Sequence, residues 1–370
     1  MQQGSSSLER RIYFLSGFDP RGSSFYYRLF VEQLRHYAQR TGRDLSVGRR
    51  RGQQDPLFSS WQVLEQDRPL LEVCFLHWDD IVRDHWPASP WVIASQGLRF
   101  ALWYLAQGGL WQIARLCPSV ALCGLYPLLF LAACALVIAL VACSLLGVGH
   151  GLPSLLAVVV LVPLGWRLAD QQGVIWLFRS ILFTHRLGQA RDGSLRQRIG
   201  ELAERIVDLE RQQPARLLEL VGHSSGSFVM AMLAAQLRRH LAFPELAPRL
   251  RLLSLGQNLA NLAVHRGAAA FHDDLRLLAQ TPRQPWRDIT SRDDYLCFAG
   301  VDPFRSCQLP IEPPAYPQLE LIRLAPRLGL NSWWALITSQ FPLHFQYLHT
   351  AEAAVQGGFD YFEHLLGETA

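Results

Sequence analysis

The feature that most limits how this chain can fold is the stretch from Leu116 to Trp166, which contains no Asp, Glu, Lys or Arg. A helix needs about 20 apolar residues to cross the hydrocarbon core of a bilayer, and this stretch is more than twice that length. The segment GVGHGLP at 147–153 divides it with glycines, a histidine and a proline. We therefore predict a transmembrane hairpin over about 118–166, made of two antiparallel helices joined by this turn.

The two apolar runs of the hairpin differ in length. The second begins at Leu152 and reaches only Trp166 before Arg167 and Asp170. It either spans with Arg167 extending to the interface or forms a re-entrant segment. Two buried helices of a soluble core are the alternative for both runs, and the length and apolar character of the first run disfavour it.

The arginines around the hairpin predict its orientation. The turn carries none, whereas several lie before or after the hairpin: Arg99, Arg115, Arg167, Arg179, Arg186 and Arg191. Because basic residues near membrane spans stay in the cytoplasm, both flanks and both termini are expected there. The chain is thus predicted to be an integral protein of a bacterial inner membrane, with the lipid bilayer as its partner.

Charge and cysteine content exclude several other classes of function. The net charge of +4 comes from arginine alone, and the arginines are scattered along the chain. Nucleic-acid-binding domains gather basic residues on one face, so no nucleic-acid partner is expected. The seven cysteines lack the spacing of zinc sites or disulfide frameworks. We therefore expect reduced thiols, no metal and no cofactor.

The segments on either side of the hairpin, 91–116 and 173–183, are rich in aromatic residues. Tryptophans and single arginines recur there among apolar residues. This pattern is typical of amphipathic helices at the headgroup level, although core-facing helices also fit it. Residues 99–191 are therefore predicted to be a membrane insertion between two parts of another domain, 1–98 and 192–370.

In those two outer parts, strand-like and helix-like segments alternate. The run RRIYFLSGF at 10–18 is typical of a strand, and the segment at 23–42 is typical of a helix. A terminal helix is expected to begin in PLHFQYLHTAEAAV at 342–355. Alternation of this kind predicts an α/β fold with a mainly parallel sheet and helices on both faces.

One predicted strand–helix corner carries a serine between two glycines. Gly222-His223-Ser224-Ser225-Gly226 fits the pattern G-x-S-x-G of a nucleophile elbow, with an apolar strand before it and a helix after it. At such a corner the serine is strained, and side chains at the glycine positions would collide with the neighbouring strand and helix. The alternative is a packing corner whose serine caps the helix.

A nucleophilic serine needs a base and a carboxylate that orients it, in the chain order serine, acid, histidine on this kind of sheet. Asp294 lies where a predicted strand ends, and His344 lies just after the last strand, at the start of the final helix. Both are therefore expected at the carboxyl edge of the sheet, near Ser224. The competing residues are Asp293, Asp302 and His349.

Residues 11–98 and 192–370 resemble an α/β-hydrolase of the membrane-associated, lipase- or esterase-like branch. GHSSG matches the nucleophile elbow, WRDITSRDD is similar to the acid strand, and HFQYL stands in the place of the catalytic histidine. The resemblance implies an α/β-hydrolase-type sheet, interrupted by the inserted hairpin. It also implies a catalytic triad of Ser224, Asp294 and His344.

The segment FLSGFDPRG at 14–22 occupies the position of the family's His-Gly oxyanion loop, with Ser16-Gly17-Phe18 in its place. Because donors must converge on the developing oxyanion, the N–H groups of Phe18 and Ser225 are the predicted oxyanion hole. Asp19 and Arg21 either pair to hold this loop or contact a substrate headgroup, and pairing is favoured.

The segment FLHWDD at 75–80 places His77, Asp79 and Asp80 at a predicted strand end. Such residues are candidate metal ligands or a second acid pair. Strand-terminal polar residues are more often hydrogen-bonded loop anchors, and that interpretation is favoured here.

Together these features predict a membrane-anchored serine hydrolase that cleaves an ester or thioester of a lipid-like acyl substrate through an acyl-enzyme. The substrate class follows from the hairpin, since a soluble substrate needs no enzyme in the bilayer. Two alternatives stay open: an acyltransferase that uses the same triad, and a non-catalytic, membrane-tethered binding module.

Overall fold

The computed structural model describes residues 8–52, 55–86, 89, 92–93, 95–97, 99–100, 106, 108–189, 193–309, 311–351 and 358–367. The chain divides into two compact units, residues 1–84 with 187–370, and residues 85–186. The boundaries predicted at 98/99 and 191/192 stay predictions.

The first unit is built on an eight-stranded mixed sheet in the part of the chain that is described. Its strands are β1 (Arg10–Leu15), β2 (Leu45–Val47), β3 (Phe58–Glu65), β4 (Arg68–Leu76), β5 (Leu217–His223), β6 (Leu250–Leu255), β7 (Trp286–Ser291) and β8 (Gln318–Ile322). They lie in the order β2-β3-β4-β1-β5-β6-β7-β8. Pairing is parallel from β4 to β8 and antiparallel for β2–β3 and β3–β4. The α/β class is therefore confirmed, with a mixed sheet.

The helices surround this sheet or belong to the second unit. In chain order they are α1 (Gly22–Thr41), α2 (Asp79–Asp84), α3 (Gly109–Leu116), α4 (Pro118–Gly147), α5 (Gly151–Gln171), α6 (Val174–Gly188), α7 (Gly193–Gln212), α8 (Gly226–Arg239), α9 (Phe243–Leu246), α10 (Leu259–Ala263), α11 (Ala269–Ala279), α12 (Pro303–Ser306), α13 (Trp333–Thr338), α14 (Gln340–Phe345) and α15 (Tyr361–Leu366). Short 3-10 helices cover Ala247–Arg249, Ala325–Leu328 and Gln346–Leu348.

The order of the strands places the candidate site. After β1 the chain forms β2, β3 and β4, which all lie on one side of β1 in the sheet. Strand β5 lies on the other side of β1, and from there the chain passes through α8 to β6, one strand further in the same direction. The direction of winding therefore reverses between β1 and β5. In open α/β sheets, such a reversal leaves a crevice at the carboxyl ends of the strands, where ligands bind.

Strand β3 is an element that the sequence pattern did not indicate. Ser59, Ser60 and Gln62 make its segment polar, which is typical of a loop. In the structure Trp61 and Val63 are buried and alternate with more polar positions, so the strand has the period of two that one buried face requires.

The second unit contains two helices, α4 and α5, that are long and apolar enough to cross a membrane. Ser154 Oγ of α5 donates to the Ala142 carbonyl oxygen of α4 at 3.0 Å. The second apolar run ends at Trp166, but the helix itself is longer, because α5 continues through Arg167 to Gln171. Charged side chains do not stop a helix, and the turn comes at Gly173, where φ is +70°. Part of the predicted amphipathic segment at 91–116 lies outside the described residues.

The predicted terminal helix at 342–355 is also corrected. Residues 340–348 form α14 and a 3-10 turn, and His349 is extended. The next two backbone amides donate to side chains instead of to helix carbonyl groups. Gln33 Oε1 accepts from Thr350 N, and Asp360 Oδ2 accepts from Ala351 N. Residues 352–357 lie outside the described part of the chain.

Candidate active site

Ser224 stands at the corner between β5 and α8 with φ of +56°, in the left-handed region that non-glycine residues rarely adopt. Its N–H donates to the carbonyl oxygen of Leu255 at 2.9 Å, and its own carbonyl oxygen accepts from Ser227 Oγ at 2.6 Å. The strained backbone is thus held by hydrogen bonds to β6 and to the first turn of α8. Observed strain of this kind clusters at functional sites.

The two glycines of the motif are required by close backbone contacts. A Cβ at Gly222 would lie 2.6 Å from the Gly226 carbonyl oxygen, and a Cβ at Gly226 would lie 2.2 Å from the Leu15 carbonyl oxygen. Both obstacles are main-chain atoms, which cannot move aside cheaply. The corner therefore has the packing expected of a nucleophile elbow.

Asp294 and His344 come together although 50 residues separate them in the chain. Asp294 Oδ2 lies 2.7 Å from His344 Nδ1, and both side chains are buried. Asp294 Oδ1 accepts from Leu296 N at 2.9 Å. His344 Nε2 is buried and has no hydrogen-bond partner among the described residues. This is the arrangement in which a carboxylate fixes the tautomer of a histidine that acts as a base.

His344 reaches this position from within α14, which follows α13. The prediction that it lies directly after the last strand and opens a long terminal helix is therefore corrected. Its catalytic role stays a prediction.

The rivals of these two residues have other contacts. Asp293 Oδ2 accepts from the N–H groups of Leu324 and Ala325 at 2.8 and 3.0 Å. Asp302 caps α12 by accepting from Phe304 N at 2.8 Å. His349 Nδ1 lies 3.4 Å from the side chain of Gln346. The geometry therefore pairs His344 with Asp294 and not with Asp293.

His223 connects the elbow to the segment that carries His344. Its Nε2 lies 2.9 Å from the His344 carbonyl oxygen, and the two rings are 4.9 Å apart. Burial and the proximity of His344 lower the pKa of His223 to about 3. The ring is therefore neutral at physiological pH, and Nε2–H donates to the carbonyl. Sequence alone identified His223 as part of the elbow but gave no signal for this contact.

The loop after β1 packs directly against the serine. A Cβ at Gly17 would lie 2.9 Å from Ser224 Cβ, so no larger residue fits there. Trp78 Nε1 donates to the Ser16 carbonyl oxygen at 3.0 Å and holds the start of the loop. Phe18 follows and is fully buried.

Ser225 immediately precedes α8, so its N–H has no intrahelical acceptor. The predicted role of the Phe18 and Ser225 amides as an oxyanion hole stays a prediction.

Asp19 and Arg21 pair within the same loop. Arg21 Nε lies 2.8 Å from Asp19 Oδ1, and Tyr26 OH donates to Asp19 Oδ2 at 3.0 Å. The Arg21 guanidinium also stacks on the ring of Phe25 at 3.6 Å. These contacts have the form of the predicted loop-holding pair.

The FLHWDD cluster forms hydrogen bonds with its surroundings. His77 Nδ1 lies 3.0 Å from Asp79 Oδ1, and Asp80 forms two bonds with Arg198 at 2.9 and 2.7 Å. Within the described ranges, no group of three or more His, Cys, Asp or Glu residues is arranged to hold a metal ion. The contacts of His77, Asp79 and Asp80 are those of loop anchors.

Serine, histidine and aspartate are the residue types of nucleophilic catalysis with a histidine base, and in this structure His344 Nε2 forms no hydrogen bond with Ser224 Oγ. No protein-family model, no curated protein and no solved structure matches this chain. The resemblance to α/β-hydrolases therefore rests on the elbow, the Asp294–His344 pair and the sheet edge that carries them.

Proposed function

We propose that the chain is a membrane-anchored serine hydrolase of the α/β-hydrolase type, with Ser224 as nucleophile, His344 as base and Asp294 as the carboxylate that orients it. The observation that carries the proposal is the contact at 2.7 Å between Asp294 and His344, whose carbonyl oxygen lies 2.9 Å from Nε2 of His223, the residue before the strained Ser224 in a glycine-flanked elbow. A packing corner needs no such pair.

In the proposed reaction, Ser224 Oγ attacks the carbonyl carbon of an ester or thioester while its proton passes to His344 Nε2. The oxyanion that develops accepts hydrogen bonds from the Ser225 and Phe18 amides. When the tetrahedral intermediate collapses, the bond to the leaving oxygen or sulfur breaks, and His344 returns the proton to the leaving group. Water then attacks the acyl-enzyme by the same route and releases the carboxylic acid and Ser224.

The membrane helices support a lipid-like acyl substrate. Both α4 and α5 have the length and composition to cross a bilayer, with mean hydropathies of 2.9 and 1.9 over their most apolar windows. An enzyme fixed in a bilayer meets acyl chains at high local concentration. The distribution of arginines supports a cytoplasmic location for both termini and the sheet unit.

The proposal is tested by hydrolysis of 4-nitrophenyl esters of short and long acyl chains by the full-length protein in nanodiscs. Wild type should release 4-nitrophenol in a burst equal to the enzyme concentration if deacylation is slow, and Ser224→Ala should release none above background. Ser225→Ala is the matched control, since its predicted contribution is a backbone amide. Equal rates for wild type and Ser224→Ala, or no turnover of any ester by folded protein, would refute the proposal.

A further inference from the structure

A pair of exposed tryptophans on α13 has no role in the proposed chemistry. Trp333 and Trp334 expose 62% and 69% of their surface, and their ring centroids lie 5.0 Å apart. Ser332 Oγ accepts from Ala335 N at 3.1 Å and caps the helix. The rings are thus presented by a capped turn of helix.

The orientation of α13 is fixed by its other side. Leu336 of α13, and Leu330 in the segment before the helix, pack against the main hydrophobic core of the sheet unit. With these leucines anchored inward, the two indole rings point outward. Two adjacent tryptophans bury a large apolar area when they find a partner, and their N–H groups favour a partner that is partly wet.

The charge around α13 indicates which partner fits. From Leu321 to Ala351 the sequence contains no Asp or Glu. Arg323 is 74% exposed, and Arg292 is also exposed. Arg323 Nε lies 3.6 Å from Asp293 Oδ2, and the Asp293 carboxylate also accepts the Leu324 and Ala325 amides. The indoles and the two guanidinium groups are all exposed, and their segments are connected by Gln340, which donates to carbonyl oxygens of Leu336 in α13 and of Asp293.

We propose that the tryptophan patch, defined as Arg292, Arg323, Trp333 and Trp334, docks in the headgroup layer of an anionic lipid bilayer, as a membrane contact in addition to α4 and α5. Tryptophan is enriched at the membrane–water interface, and arginine near an anionic surface is attracted to it. The chain has two helices that are long and apolar enough to span a membrane. A bilayer is therefore a surface that this chain is expected to meet.

The patch is connected to the candidate active site through Gln340. Gln340 Nε2 donates to the carbonyl oxygens of Leu336 at 2.9 Å and Asp293 at 3.2 Å, and its Oε1 accepts from Tyr295 N at 2.6 Å. Helix α13 is therefore tied to the turn that carries Asp294. Docking of the patch would hold this turn at the lipid surface, where an acyl substrate of the proposed function resides.

Depth in the bilayer can be measured without any enzymatic activity. The full-length protein, labelled with 5-fluorotryptophan, is placed in nanodiscs of phosphatidylglycerol and phosphatidylcholine and observed by ¹⁹F NMR. Trp333→Phe and Trp334→Phe assign the two signals. Doxyl-labelled lipid reports contact with the bilayer, and a gadolinium chelate reports contact with water. Buried Trp61 is the internal control, which neither agent should broaden.

The proposal predicts that doxyl-labelled lipid broadens the Trp333 and Trp334 signals. Replacing Arg323 by Gln should shift the docking equilibrium toward the undocked form about fivefold. Broadening by the gadolinium chelate alone would overturn the proposal. Protection from both agents would also overturn it, since it would mean that protein covers the patch. Because Ser224→Ala protein should give the same spectra, the docking result and the proposed function can fail separately.

Discussion

Two histidine–aspartate pairs lie at the carboxyl edge of the sheet, and their surroundings differ. His344 Nδ1 lies 2.7 Å from Asp294, and its Nε2 has no hydrogen-bond partner in the described part of the chain. His77 Nδ1 lies 3.0 Å from Asp79, and its Nε2 lies 3.0 Å from Ser59 Oγ. The second set is thus a continuous serine–histidine–aspartate chain of hydrogen bonds.

The serines separate the two sets. Ser59 lies inside β3, and its Oγ also lies within 3.5 Å of the Gly52 carbonyl oxygen and Ser23 Oγ. Ser224 has a positive φ and precedes a helix whose first N–H groups lack intrahelical acceptors. The Ser59 set therefore has the hydrogen-bonded chain of the three residue types without the surroundings of Ser224. The strained corner and its amide donors are what the Ser59 set lacks.

The largest difference in activity is expected between two variants in which one serine, Ser224 or Ser59, is replaced by alanine. Ser224→Ala should reduce kcat for ester hydrolysis by at least about 10⁴-fold, because it removes the proposed nucleophile. Ser59→Ala should keep kcat within about twofold of wild type if β3 serves only the fold. Steady-state kinetics on a 4-nitrophenyl ester give both values. Comparable losses in the two variants would remove the distinction between the sets.

The carboxylates provide the next contrast. Asp294→Asn should lower kcat by about 10³- to 10⁴-fold, because an amide no longer holds His344 in the required tautomer. Asp293→Asn is the matched control on the neighbouring residue, since Asp293 binds backbone amides of the Leu324 segment. Its kcat should fall far less. A larger loss in Asp293→Asn than in Asp294→Asn would reassign the acid.

A smaller effect is expected at His223, which has no counterpart in the His77 set. His223→Phe leaves the His344 carbonyl oxygen without its donor and should lower kcat about tenfold at unchanged KM, through looser placement of His344. His223→Gln can still donate and should recover most of the loss. If both variants match wild type, the contact has no part in positioning the base.

The His77 set should affect stability instead of activity. Although burial opposes it, hydrogen bonds from His77 and Arg83 lower the pKa of Asp79. A lowered pKa stabilises the fold above the unfolded pKa of about 3.9, and this contribution is lost as the pH falls through the folded value. Asp79→Asn should therefore lower the free energy of unfolding by about 1–3 kcal/mol at pH 7. Thermal melts in detergent should show the difference from wild type shrinking toward pH 3.

Asp288 differs from Asp79 and Asp294, because this buried carboxylate has no basic partner among the described residues. Asp288 accepts a hydrogen bond from Ser254 Oγ, and burial raises its pKa to about 8. Its contribution to stability is complete below the unfolded pKa and is lost as the pH rises through about 8. The Tm of wild type should fall relative to Asp288→Asn between pH 5 and pH 9, as scanning fluorimetry at each pH would show. A constant difference would mean that Asp288 is ionised throughout.

Features encoded within a short window could be predicted from the sequence. The apolar hairpin depends on local composition, and the elbow depends on five consecutive residues. The α/β class follows from alternation along the chain. Each of these requires no knowledge of distant contacts.

Features decided by distant partners could not be predicted. Asp293 and Asp294 are adjacent and chemically identical, and only the Leu324 amides and His344 distinguish them. The amides that follow the 3-10 turn are bound by Asp360, nine residues beyond Ala351, and by Gln33, which is 317 residues from Thr350 in the chain. Strand β3 could not be predicted either, because its sequence is polar and it is a strand through its pairing with β2 and β4.

The most direct test of the central claim is the site of covalent labelling by a fluorophosphonate. The full-length protein in nanodiscs is labelled, digested with trypsin and sequenced by mass spectrometry. Residues 217–238 form one expected peptide, which carries Ser224, and residues 52–83 form another, which carries Ser59. We expect the adduct on Ser224, and its loss in His344→Ala. An adduct on Ser59, or none on folded protein, would contradict the account.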